Sequence, residues 1–176
     1  MTARPRRGKT GPMAERTTDP IRPTDDDARA LAQGLMRDAA FGALGTLRDG
    51  APLVTRIALF CPEDGVPVTL VSRLSAHTGA LLEGARVSLL LGEPGAKGDP
   101  LTHPRLSMQA LADPVTRNDA RFEALAGAYV AARPKSKLYI GFADFLLVRF
   151  PPEGALLNGG FGAAFRLTAE DLLPEG

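Results

Sequence analysis

The chain has no tryptophan, a single cysteine and two histidines among its 176 residues. Each scarcity removes a class of protein. One cysteine, Cys61, cannot build an internal disulfide framework and suits a reducing compartment. His77, His103 and Cys61 are too few for a spaced zinc set. No apolar run approaches the roughly 18 residues of a membrane-spanning helix. A Gly-x-Ser-x-Gly elbow, a P-loop and a dinucleotide fingerprint are all missing, so nothing signals a hydrolase or a standard nucleotide fold.

What is present is ordinary for a globular domain: 44% hydrophobic and 23% charged residues. This length suggests one domain that buries a core without staples. Charge is uneven. Residues 1–24 hold six Lys/Arg against two Asp/Glu, and the rest holds fifteen against eighteen. Arg4, Arg6, Arg7 and Lys9 precede Gly11 and Pro12 rather than the apolar stretch of a secretory signal. Residues 1–23 therefore read as a disordered basic arm, solvated or touching nucleic acid or an acidic surface, with Met13 an alternative start. The folded domain is expected over 24–170 and a tail over 171–176. The location expected is cytoplasmic, with no membrane partner and no nucleic acid.

Hydrophobic spacing gives the elements. Thr24 caps a helix begun by Asp25, Asp26 and Asp27, with Ala28, Leu31, Ala32, Leu35 and Ala39 on one face and Gly42 as its stop. Strands follow over 43–47, 53–60 and 66–72, joined at Arg48-Asp49-Gly50 and Pro62-Glu63-Asp64-Gly65. A short helix is expected over 75–83 and a strand over 86–91. A long Gly/Pro loop spans 92–104. A strand over 105–112, a helix over 117–132, a strand over 142–150 and a glycine-kinked strand over 155–165 complete the chain. The fold class expected is mainly β (α+β), a barrel of six or seven mostly antiparallel strands with flanking helices.

One segment concentrates the chemistry. Val71-Ser72-Arg73-Leu74-Ser75-Ala76-His77-Thr78 lies where a strand gives way to a helix. Hydroxyls of Ser72, Ser75 and Thr78, charge from Arg73 and His77, and a helix start make either an anion cradle or a plain cap with a solvated arginine. Arg56, mid-strand among Val54, Ile57 and Leu59, either faces solvent or offers a bidentate fork to phosphate. Arg105 follows Pro104 at a strand start.

Together these residues resemble the pyridoxamine 5′-phosphate oxidase-like superfamily over about 25–167. The signature runs are Ser72-Arg73-Leu74-Ser75-Ala76-His77-Thr78 and Arg86-Val87-Ser88-Leu89-Leu90-Leu91. Within it, Gly98-Asp99-Pro100-Leu101-Thr102-His103-Pro104-Arg105-Leu106, Tyr139-Ile140-Gly141-Phe142-Ala143-Asp144-Phe145 and Gly159-Gly160-Phe161-Gly162 are similar to the haem-utilisation branch. The resemblance implies a split barrel, a homodimer, and flavin mononucleotide (FMN) at the interface. By position it assigns Arg56, Ser75 and His77 to the phosphate, Val71 and Ser72 to the ring, and Arg105 to the neighbouring subunit's flavin. Arg73 and Thr78 complete the expected cofactor set. The implied activity is a flavin-dependent oxidoreductase; the alternatives are a non-catalytic flavin or haem binder and a cofactor-free dimeric scaffold. True pyridoxamine phosphate oxidation is not expected, because the C-terminal strand of those enzymes carries Trp and Arg. Haem-degrading members use a late histidine as iron ligand, and none follows His103.

Overall fold

A computed structural model describes residues 21–160 and 162–174. The expected arm lies outside them except for its last three residues. Strand β1 (Ile21–Arg22) leads into helix α1 (Asp26–Asp38). The cap is Asp25, whose carboxylate accepts the Ala28 N–H, rather than Thr24, whose hydroxyl donates to the Arg166 carbonyl. α1 buries Ala28, Ala32 and Met36. Gly42 does not stop this helix but lies inside the next strand, where an added Cβ would sit 2.7 Å from the Leu91 side chain.

Strands β2 (Phe41–Arg48) and β3 (Ala51–Ala58) form a hairpin. Its two-residue loop, Asp49-Gly50, has positive φ at both positions (51° and 76°), the geometry that matches strand twist. After β4 (Val68–Ser72) comes the one-and-a-half-turn helix α2 (Thr78–Leu82), which starts three residues later than the sequence suggests. β5 (Arg86–Leu91) and β6 (Arg105–Leu111) flank the long loop, which contains a 3-10 turn at Pro100–Thr102. β7 (Asp113–Val115) precedes α3 (Phe122–Ala132) and a second 3-10 turn, Pro134–Leu138. β8 (Phe145–Arg149), β9 (Pro152–Asn158), β10 (Ala164–Thr168) and α4 (Ala169–Leu172) end the described chain.

The described residues form ten strands, more than the six or seven expected. The glycine-kinked strand is really two, β9 and β10, which pair across the Gly159–Gly162 turn. β1 and β7 are too short to carry a periodicity. The expected tail also begins inside α4, whose Leu172 is 1% exposed.

A seven-stranded sheet runs β1-β10-β9-β6-β5-β2-β3, and a three-stranded sheet runs β4-β8-β7. All pairs are antiparallel except β1 with β10. The chain passes between sheets at Ala112 and again at Phe150-Pro151, which closes one seam. The other seam holds a single bridge, Phe60 with Val68, beyond which β3 and β4 part. This is a split barrel. Its core includes Leu44, Leu89, Leu106, Met108, Leu146 and Phe150. A second cluster, with Val68, Val115, Phe122, Tyr129 and Leu147, seats α3 on the small sheet. Among the described residues, no helix is long and apolar enough to cross a membrane.

Candidate functional site

The mouth of the open seam is the turn between β4 and α2. β4 pairs with β8 along one edge, Ser72 opposite Phe145. Its other edge faces the gap. Tyr129 closes the inner end of that gap: its ring is 2% exposed and its hydroxyl lies 3.5 Å from the Ala58 carbonyl. Burial pushes the Tyr129 phenol above its ordinary range, so it stays protonated.

The turn is held by its own hydroxyls. Ser72 Oγ donates to the Asp144 carboxylate and accepts the Leu74 N–H. Thr78 Oγ1, fully buried, donates to the Ser72 carbonyl at 2.7 Å. The Arg73 N–H donates to the Asp144 carbonyl at 2.8 Å. Two of the three hydroxyls expected to hold an anion therefore spend their protons inside the protein. Asp144, whose role cannot be read from sequence, is the residue that fixes the turn. Its only signal is its place in the Tyr139–Phe145 run.

The remaining donors are unspent. The Ser75 hydroxyl and the Arg73 guanidinium have no hydrogen-bond or ion-pair partner among the described residues. His77 Nε2 is buried and unpartnered, as is Thr46 Oγ1 on the inner face of β2. Burial lowers the His77 pKa, which favours the neutral ring. Ser75 lines a cavity of about 490 Å³ with Leu74, Ala76 and the Leu47–Asp49 end of the β2–β3 hairpin. Of these donors only Ser75 lines that cavity, whose wall also carries Arg48, Asp49 and Glu83; the Arg73 guanidinium and the buried His77 nitrogen belong to the same turn.

The other candidates lie elsewhere. Val71 is 4% exposed and points into the core, so only its backbone can meet a ligand, not its side chain. Arg56 stands on the outer face of β3, opposite Ala43, with its guanidinium 5.0 Å from the Phe41 ring centre. It has no hydrogen-bond or ion-pair partner among the described residues. It lines a separate cavity of about 620 Å³ with Leu31, Leu35, Phe41, Leu90 and Gly92. Extending the Phe60–Val68 register puts Arg56 level with Ser72, but its side chain leans towards β2, away from β4. Arg56 and Ser75 therefore do not share a cavity. Arg105 begins β6, three strands or about 14 Å from β3, and donates to the Leu101 carbonyl. Burial, reinforced by Asp64, pushes the Cys61 thiol up to about 11, so it is no nucleophile at neutral pH.

No family model matches the chain. One solved structure is 44% identical, with a TM-score of 0.78, covering 88% of this chain and 100% of the other. A heme binding protein from Mycobacterium smegmatis is 25% identical with a TM-score of 0.74, over 86% of this chain and 61% of that one. A Clostridium acetobutylicum protein of the pyridoxinephosphate oxidase family shares the fold at 10% identity, with a TM-score of 0.64 over 85% of this chain and 99% of that one. The chain shares the split-barrel fold of that oxidase-family protein. Its matches also include haem-associated proteins. Among curated proteins, the chloroplastic heme oxygenase HOZ of Arabidopsis thaliana, one of non-standard type, is 30% identical over 117 residues. Those residues are 66% of this chain but 35% of HOZ, so the chain spans about a third of that relative.

Proposed function

We propose that this chain binds FMN at the β4–α2 turn, as a homodimer, and works as a flavin-dependent oxidoreductase in the cytoplasm. The observation that carries the reading is the set of unspent donors: Arg73, the Ser75 hydroxyl and His77 Nε2. These would hold the phosphate. The free edge of β4 would take the flat ring through backbone groups. Arg56 joins the phosphate by leaving Phe41, and Arg105 serves the cofactor of the second subunit. The flavin would supply electron transfer; the chain supplies binding and orientation. The open face of the large sheet, with Leu47, Val54, Leu90 and Leu156 all exposed, suits a second copy.

Haem is the second reading, favoured by what the Mycobacterium protein and HOZ are said to bind or act on. One experiment separates the two. The purified protein is examined for flavin absorbance and for the mass of anything co-purifying, then titrated with FMN and with haem. The FMN reading expects saturable binding that Arg73→Ala and Arg56→Ala each weaken by about 1.5–3 kcal/mol, the range for a hydrogen bond to a charged group. A Soret shift without flavin uptake replaces FMN with haem. Uptake of neither leaves the scaffold alternative.

A further inference from the structure

Beyond the cradle, the edge of the small sheet carries a ledge of large apolar side chains in the open. Leu74 is 87% exposed, Leu138 78% and Phe142 58%. Tyr139 joins them, and Phe145 anchors the group from below. Its ring lies 5.2 Å from that of Tyr139 and 6.3 Å from that of Phe142. The two segments are held together by the Arg73 N–H bond to Asp144 and by Arg117, which donates to the carbonyls of Ile140 and Phe142.

Cations ring this ledge: Arg73, Arg117, Lys135 and Lys137, all exposed. Among the described residues none of the four forms an ion pair, a state they share with Arg56, Lys97, Arg105 and Arg166, while Arg29, Arg86, Arg121 and Arg149 each hold a carboxylate. The single acid within the ledge segments, Asp144, is engaged by Ser72. Apolar tips surrounded by unpaired positive charge are the pattern of interfacial membrane contact.

We infer that this ledge docks on the surface of an anionic lipid bilayer, with Leu138 and Phe142 entering the headgroup region and Arg117, Lys135 and Lys137 meeting lipid charge. This departs from the expectation of no membrane partner, and it does not depend on which cofactor binds. A second copy is the poorer occupant. A two-fold contact through the ledge would set the same three cations against themselves. A protein partner is also poorer, because a standard interface needs roughly 20–30 residues a side.

The absence of tryptophan makes the test direct. Phe142→Trp places one reporter on the ledge, and Leu101→Trp places one on the distant, 68% exposed Leu101. The full chain is mixed with vesicles of phosphatidylcholine alone or with phosphatidylserine added. The inference expects a blue shift and quenching by lipid-borne quencher only for Phe142→Trp, and only with anionic vesicles. Lys135→Glu/Lys137→Glu lowers vesicle affinity by about fivefold or more per cation removed. Leu138→Ser/Phe142→Ser lowers it further, with thermal unfolding unchanged. Unaltered binding in these variants assigns any vesicle affinity to the basic residues of the first 20 positions and overturns the inference. A shift in oligomeric state in Leu138→Ser/Phe142→Ser makes the ledge a self-contact and overturns it as well. So does failure of the full chain to bind anionic vesicles.

Discussion

The closed side of the barrel and its open seam treat polar groups in opposite ways. On the closed side, the charges that join α1 to α4 are partnered within the protein. Arg29 bridges Asp26 and Asp171, Asp171 completes a capping box with Thr168, and Gln33 donates to the carbonyls of Asp171 and Leu173. At the seam, Arg73, Ser75 and His77 Nε2 have no partner among the described residues. The β4–α2 turn leaves Arg73 and Ser75 to solvent and one His77 nitrogen buried without a partner, donors that a ligand can take.

That contrast can be broken by mutation. The largest effect belongs to the core shared by both sides. Phe150→Ala, at a side chain with no exposure, is expected to cost about 3–5 kcal/mol, measured by urea unfolding. On the closed side, Thr168→Ala removes the α4 cap for about 1 kcal/mol. The same side has a pH signature. Thr168 hydrogen bonds and Arg29 hold the Asp171 carboxyl below its usual value of 3.8. Its contribution is present above that value and is lost as pH falls through the lower folded one. Asp171→Asn should flatten this acid limb, and an unchanged limb would assign it to other carboxylates.

The seam should behave in reverse. His77→Leu removes a buried nitrogen with no partner, so the free protein gains about 1 kcal/mol while FMN binding weakens. The unfolded chain protonates His77 near 6.5, and the folded chain only at lower pH. Native His77 therefore costs stability as pH drops through that window, and the leucine variant should not show this loss. Lower stability in His77→Leu would mean that the ring packs rather than waits.

Most of the scaffold was legible because it is periodic. β5 alternates exposed and buried residues along its whole length, and Asp49-Gly50 announces its hairpin. Elements held by long-range pairing were not legible. β1 is two residues paired with β10, some 140 positions away, and leaves no local pattern. The residue types of the site were legible, but the destination of each hydroxyl proton was not. Spacing could place Ser72, Ser75 and Thr78 in one turn, yet only the fold shows that Asp144 and the Ser72 carbonyl take two of the three hydroxyls. Arg56 was found, but its lean towards Phe41 depends on a neighbouring strand.

Asp144 touches both proposed surfaces: its carboxylate holds Ser72 in the cradle, and its carbonyl holds Arg73 beside the ledge. A clamp shared in this way makes the two occupancies reciprocal. By whatever factor an anion in the turn alters the grip on lipid, lipid must alter the grip on the anion by the same factor. Delivery of a cofactor or substrate and residence at the bilayer would then be one equilibrium rather than two.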